Sequence, residues 1–292
     1  MTLLGQGLAD HARLPALDVA AAEQLAAAMT SELQARRPWL LRLEQLPVGD
    51  PVATLLAARL GLQVHRGVPC PVTDVDHDAP LTSVLSVNGR KSLRRGTNRL
   101  AAGGQQLVTT WTGGPRAAET LPDLLALRRA RDHAVGRASE ADDPRARAFQ
   151  GSVAQALADR SLLEVLRCEV DGDLAAYALV LVDGDVLRVW DGRVRPGVER
   201  YGVGWLADVA VLARAWSDPS VRAVDWMRGA TENKQRCATR TVDSCHVTGA
   251  SSPWLRQTSD AAVRLRGGLL RVARRLVPPA RRHAVRGLRG RS

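Results

Sequence analysis

Two Asp-Gly-Asp tripeptides, at 171–173 and 183–185, constrain this chain more than any other feature. They separate three runs rich in β-forming residues: Leu162 to Val170, Leu174 to Val182 and Val186 to Val194. Asp-Gly between apolar runs favours the positive-φ turns of tight hairpins, so the spacing predicts an antiparallel meander. The next residues break that pattern. A glycine-punctuated loop, Gly197 to Gly204, opens onto an apolar helix, Trp205 to Trp216, and then a strand, Ala223 to Met227. A strand reached through a crossover helix runs parallel to its neighbour, so the sheet is expected to be mixed. A short helix at 232–237 and a last strand near 244–248 close the unit.

Upstream, helical spacing of apolar residues marks Leu17 to Arg36, ended by Arg37-Pro38. A strand at 39–43 and a helix from Val52 to Leu60 follow. Residues 61–80 hold Gly61, Gly67, Pro69, Pro71 and Pro80 with alternating Asp74, Asp76 and Asp78, and read as a connecting segment. The aspartates lack the glycine and terminal glutamate of a calcium loop. Thr82 to Ala102 reads as basic helix, one long or two consecutive, stopped by Gly103-Gly104. A strand from Gln105 to Trp111 and helices at 120–135 and 144–159 lead to the meander. The class is α+β, a mixed and mostly antiparallel sheet flanked by helices.

The charge is unevenly placed. The 292 residues carry 41 Lys+Arg against 30 Asp+Glu, a formal +11. Eleven arginines and one acid, Asp260, lie in residues 251–292, so +10 belongs to that tail and 11 − 10 = +1 to residues 1–250. A basic protein invites a nucleic-acid or anionic-membrane reading, but here the body is nearly neutral. Only Lys91 and Lys234 are lysines, against 39 arginines, which points to coding bias rather than phosphate recognition. The tail from Trp254 to Leu276 places Ala261, Leu265, Leu269, Val272 and Leu276 near one helical face among arginines. Such a helix binds a membrane surface, nucleic acid or a partner, or docks on the body.

The N-terminus lacks the basic start and apolar core of a secretory signal, and no apolar run approaches the ~20 residues of a membrane span. Cys70, Cys168, Cys237 and Cys245 have no C-x-x-C spacing, and Cys237, Cys245 and His246 lack a fourth zinc ligand. These features place a metal-free protein with reduced cysteines in the cytoplasm, with peripheral association at the inner membrane face as a variant through residues 254–292.

The loop Glu199-Arg200-Tyr201-Gly202-Val203-Gly204 carries the chemistry. Its glycines let backbone approach a ligand, and the first N–H groups of the following helix have no intrahelical acceptor, which suits an anion such as a pyrophosphate. No Walker A sequence occurs, and a dinucleotide fingerprint would need a βαβ unit rather than hairpins.

The order of elements and these residues resemble the GNAT superfamily, in which a meander leads to a phosphate loop of R/Q-x-x-G-x-G/A type. Arg200-Tyr201-Gly202-Val203-Gly204 is one residue short of that loop. A narrower likeness is to the CelD-like acetyltransferases of cellulose and exopolysaccharide clusters, relatives of the Fem peptidoglycan aminoacyltransferases. It covers about residues 40–250 and rests on four stretches: the basic Ser86 to Leu100, Leu127-Arg128-Arg129-Ala130-Arg131, Tyr201 to Gly204, and Asp225-Trp226-Met227-Arg228-Gly229 followed by Asn233-Lys234. Departures are clear. The family's histidine is Arg128, its Ser-Pro is Gly202-Val203, and the tyrosine before its lysine is Asn233.

The resemblance implies a partial N-terminal lobe at 1–80, an acyltransferase domain at 81–250 and an Arg-rich helical tail at 251–292. It implies acetyl-CoA or another acyl-CoA as co-substrate, no metal, and a small-molecule or glycan amine as acceptor, with no stable nucleic-acid complex. Arg200, Gly202, Val203, Gly204 and Trp205 would cradle the donor, and a backbone N–H among Arg193, Val194 and Arg195 would polarise the thioester carbonyl. Tyr201 is the candidate acid for the leaving thiolate, and Lys234 an anion contact. Asp191, Glu199, Asp225 and Glu232 are candidate bases, with Asp225 the chosen one. Two rivals remain: a Fem-like transferase using aminoacyl-tRNA, contacted by Arg90 to Arg99 and the tail, and a degenerate scaffold acting as a binding protein.

Overall fold

The computed structural model describes residues 11–229 and 231–258. In chain order the elements are α1 (Val19–Ala35), β1 (Leu40–Pro47), α2 (Pro51–Leu60), β2 (Gln63–Arg66), β3 (Cys70–Asp74), α3 (Val87–Ala102), β4 (Leu107–Gly113), α4 (Pro115–Glu119) and α5 (Leu121–Ala134). Then come α6 (Pro144–Ala158), β5 (Leu163–Val170), β6 (Asp173–Asp183), β7 (Val186–Val194), α7 (Val203–Trp216), β8 (Ala223–Asp225), α8 (Glu232–Gln235), β9 (Arg240–Val242) and β10 (Ser244–Ala250). They form two compact units. The smaller contains the described residues of 1–70, 227–230 and 241–276; the larger contains 71–226 and 231–240.

In the smaller unit β10 lies between β1 and β2, antiparallel to both. Leu41, Leu43 and Leu46 of β1 meet Ala22, Ala26 and Leu33 of α1 and Val52 and Leu56 of α2 in one core. Both helices start on aspartate caps: Asp18 accepts from the Ala21 N–H and Asp50 from the Ala53 N–H, at 2.7 and 2.8 Å. The last strand, expected to close the acyltransferase unit, thus pairs elsewhere. Its residues alternate as any half-buried strand does, and nothing local specifies which edge they join.

The larger unit is a seven-stranded sheet in the order β4-β5-β6-β7-β8-β3-β9. From β4 to β7 every pairing is antiparallel, β7 and β8 run parallel as the crossover helix requires, and β8 and β3 are antiparallel. The first Asp-Gly turn is the predicted kind: Asp171 and Gly172 both have positive φ, 54° and 85°, between the paired Val170 and Asp173. One face of the sheet packs on α3 and α7, through Leu166, Ala178, Val203 and Val211; the other packs on α4 to α6, through Leu124, Ala154, Val165 and Tyr177.

The segment 61–80 is not merely a connection. It supplies β2 and also β3, which lies beside β8 with Cys70 to Thr73 buried. Pro71 lacks a donor but its carbonyl accepts from the Trp226 N–H at 3.0 Å, and Val72 accepts from the Thr239 N–H at 2.9 Å. Two prolines and a short apolar content hid this strand. The amphipathic reading of the tail falls, beyond Thr258, outside the described residues. Among the described residues no helix is long and apolar enough to cross a membrane.

Candidate active site

A gap opens where β8 stops. β7 and β8 pair only from Val186↔Ala223 to Arg188↔Asp225, and β7 then runs on to Val194 without that neighbour. Backbone groups along this free stretch alternate in direction. The Arg195 N–H donates to the Ala175 carbonyl of β6 at 2.8 Å. By that alternation the Val194 N–H points away from β6, into the gap. Of the three residues expected to present an amide here, the strand geometry therefore leaves Val194.

The start of α7 stands over the same place. One 3₁₀ turn, Glu199–Tyr201, feeds into Gly202, whose φ of 70° is a left-handed conformation that suits glycine. The Gly202 carbonyl accepts from both Trp205 and Leu206, at 2.9 and 3.1 Å. The N–H groups of Val203 and Gly204 precede the first helical acceptor and remain for an anion, with the positive end of the helix dipole behind them. Gly204 itself lies against β7: a Cβ there would come within 2.8 Å of the Val194 Cγ2. α3 braces the turn from outside, with Gly96 beneath the Tyr201 carbonyl and Arg99 donating to the Arg200 carbonyl at 2.7 Å.

A family profile described as an acetyltransferase (GNAT) domain matches residues 88–235, about half of the chain. The chain belongs to the GNAT family. Among solved structures it is similar to FemX, with 10% identity over 82% of this chain and 79% of that one and a TM-score of 0.62. It is also similar to L-PGS from Bacillus licheniformis, with 14% identity over 85% and 77% and a TM-score of 0.54. At such identities the likeness is one of fold. No curated protein matches the chain by sequence.

GNAT-fold proteins in general use an acyl-CoA as co-substrate. The individual residues expected at the site are used differently from one another. Tyr201 is buried, stacked 4.7 Å under the Arg200 guanidinium, with its hydroxyl accepting from that group at 2.6 Å. Arg200 and Tyr201 thus hold each other. Trp205 is turned onto α3, donating to the Gly89 carbonyl at 3.0 Å, and contributes no side chain to the gap. Val203 is fully buried. Arg193 pairs with Asp191 at 2.6 Å and Arg195 with Asp173 at 2.9 Å, so both guanidinium groups are engaged on the sheet.

Each proposed base has an arginine partner. Asp191 also accepts from the Tyr177 hydroxyl at 2.7 Å and lies 3.8 Å from Arg128, the residue at the family's histidine position. Glu199 pairs with Arg131, and backbone amides, its own first, hold its carboxyl below the usual carboxylate range. Glu232 pairs with Arg236 at 2.6 Å. Asp225 is buried and bound by Arg188 at 2.6 Å, an ion pair that joins β8 to β7. Arg188→Met should therefore destabilise the larger unit by about 3 kcal/mol, because a buried carboxylate loses its cation. Urea unfolding would show this as a lower midpoint, and an unchanged midpoint would refute the clamp.

The carboxylate that the sequence reading overlooked is Asp208, on α7. Along the helix stripe facing the sheet stand Gly204, Asp208, Val211 and Ala215; the last two are fully buried, whereas the first two retain solvent access. Burial pushes the Asp208 carboxyl up to about 7, and the charge of Lys234 on α8 works against that rise. The available signal was compositional: Asp208 is the one acid in the helix Val203–Trp216, otherwise apolar but for Arg214.

Proposed function

We propose that the protein is an N-acyltransferase that moves an acyl group, acetyl as the first candidate, from CoA to an amine of a small molecule, a sugar or a cell-envelope precursor. The observation that carries this reading is the gap itself. A length of β7 with no strand on its β8 side offers the Val194 N–H, under a helix start whose first two N–H groups await an anion. The diphosphate would lie on Val203 and Gly204, the pantetheine along β7, and the thioester carbonyl against the Val194 amide, which polarises it as charge develops on oxygen. Alignment of amine and thioester supplies much of the rate. The CelD-like pattern of Ser86 to Leu100, Tyr201 to Gly204 and Asp225 to Lys234 supports an acceptor of carbohydrate or envelope chemistry.

One observation favours a second reading, transfer from aminoacyl-tRNA. The exposed side of α3 carries Lys91, Arg94 and Arg95, and among the described residues none of the three has an ion pair. A polyanion would neutralise that row. Titration of the purified full chain with CoA, acetyl-CoA and charged tRNA separates the readings. Saturable binding of CoA and acetyl-CoA is expected. Strongly salt-dependent tRNA binding without CoA binding would overturn the acyl-CoA reading, and binding of none would leave a GNAT scaffold with a non-catalytic role.

A further inference from the structure

We infer that a groove between α2 and β2, in the smaller unit, binds an organic ammonium: a protonated amine on an aliphatic body, with the Asp50 carboxylate as its counter-charge. The site lies wholly within the smaller unit and does not depend on the acyl-CoA reading.

The groove follows from unequal cover of the three-stranded sheet. Residues directly opposite one another in an antiparallel pair point to the same face. Val247 of β10 stands opposite Val64 of β2, and Cys245 opposite Arg66. Val247 is 1% exposed and shares a core with Cys245 and with Val52, Ala53 and Leu56 of α2. Val64, on that same face, is 58% exposed. The helix therefore covers β10 and leaves β2 bare. The cavity along this step has a volume of about 450 Å³, within the range of small-molecule sites. Val64, Val247 and Ala53 line it with apolar surface, and Asp50, Thr54, Arg66 and Asp243 supply its polar groups.

Those polar groups leave one negative charge and two open acceptors. Arg66 pairs with Asp243 at 3.2 Å, so the two cancel. His65 belongs to the opposite face, where its Nε2 meets the Thr248 hydroxyl at 3.1 Å. Burial, and then the charge of Asp50, push the Cys245 thiol up, so it adds no second anion at neutral pH. Asp50 itself is 7% exposed and has no ion pair among the described residues. Its Oδ1 is used by the Ala53 N–H at the start of α2, at 2.8 Å. Its Oδ2 accepts no hydrogen bond among the described residues and is not sealed from solvent. The Thr54 hydroxyl donates to the Asp50 carbonyl at 2.8 Å, which leaves its lone pairs to accept.

A largely buried carboxylate with one oxygen unused is completed by a cation that also donates hydrogen bonds. An ammonium brings the charge and its N–H donors together. Asp50 Oδ2 and Thr54 Oγ1 would take two of them, and the aliphatic body would lie on Val64 and Val247. One carboxylate oxygen and one hydroxyl are too few ligands for a calcium or magnesium ion. An anion would meet the net charge of Asp50.

The test titrates the 15N-labelled full chain with cyclohexylammonium, cyclohexanol and cyclohexanecarboxylate, three probes of similar shape and different charge. Saturable shifts of the Gly49, Ala53 and Thr54 amides are expected with the ammonium, and binding at least 10-fold weaker with the other two. Asp50→Asn should weaken ammonium binding by about 10-fold or more. Asparagine caps a helix as well as aspartate does, so α2 stays in place. Val64→Trp, at an exposed strand position, should fill the groove and cause a similar loss without touching the charge. Asp18→Asn makes the same change at the cap of α1 and should bind like wild type. The inference is overturned by no saturable shift in wild type, by the alcohol or the carboxylate binding as tightly as the ammonium, or by an equal loss in Asp18→Asn. Undiminished binding in Asp50→Asn overturns it too. Should Asp50→Asn fail to fold, Val64→Trp decides, and undiminished binding there overturns the site.

Discussion

Gly204→Glu is expected to weaken CoA binding by about 100-fold, equivalent to about 2.7 kcal/mol. Two effects act together. A Cβ at this position would meet the Val194 Cγ2 at 2.8 Å, so the helix start and β7 must separate by some tenths of an ångström. The added carboxylate then occupies the region in front of the first N–H groups of α7, where it takes the favourable helix-end interaction for itself and repels incoming phosphates. A glutamate in the first turn does not weaken a helix, so circular dichroism and the unfolding midpoint should change little. Gly204→Ala separates the two effects: it keeps the contact with Val194, whose methyl can rotate aside, and adds no charge, so its loss should stay within about 10-fold. Isothermal titration of both variants is the measurement. Near-equal losses would mean that crowding rather than charge decides, and a Gly204→Glu protein that binds CoA like wild type would remove α7 from the donor site.

Trp226→Ala should produce the largest loss of stability in the larger unit, about 3–5 kcal/mol. The indole is 1% exposed, the largest side chain buried so completely. Its N–H donates to the Thr73 hydroxyl at 2.8 Å, and that hydroxyl donates to the Cys237 carbonyl at 2.7 Å. One side chain thereby ties the end of β8 to β3 and to the turn after α8. Truncation leaves a void on the scale of an indole, which close-packed neighbours fill only in part. For a unit of this size the shift corresponds to a fall in Tm of roughly 10 °C. Trp226→Phe keeps most of the ring and gives up the hydrogen bond, so it should lose a smaller part. Calorimetry of the three proteins checks the order; a Trp226→Ala protein melting with wild type would show that the cluster carries little of the stability.

The two variants act on features of very different visibility in the sequence. The meander and the loop were legible because their signals are local: Asp-Gly sets backbone sign at the turn, and Gly202 and Gly204 sit between a β-rich run and a helix. β3 was not, because a strand with a proline at its second position and a partner more than a hundred residues away carries almost no pattern of its own. β10 shows the complementary failure, a strand read correctly and assigned to the wrong sheet, since pairing partners are a tertiary property. At the site, residue type did not reveal the partners. Asp225 stands in a family-like motif, yet Arg188 consumes it; Tyr201 stands in the loop, yet Arg200 covers it. Asp208 carried no motif, and only its position on the sheet-facing stripe of α7 distinguishes it from a surface acid.

The central place of β10 in the smaller sheet also orders events during synthesis. β1 and β2 have no ladder with each other; each pairs only with β10. When the first seventy residues leave the ribosome, their strands therefore have edges but no partner, and they wait while the whole of the larger unit is made. Only when Ala250 has emerged can that sheet close, so its outer strands wait for the central one.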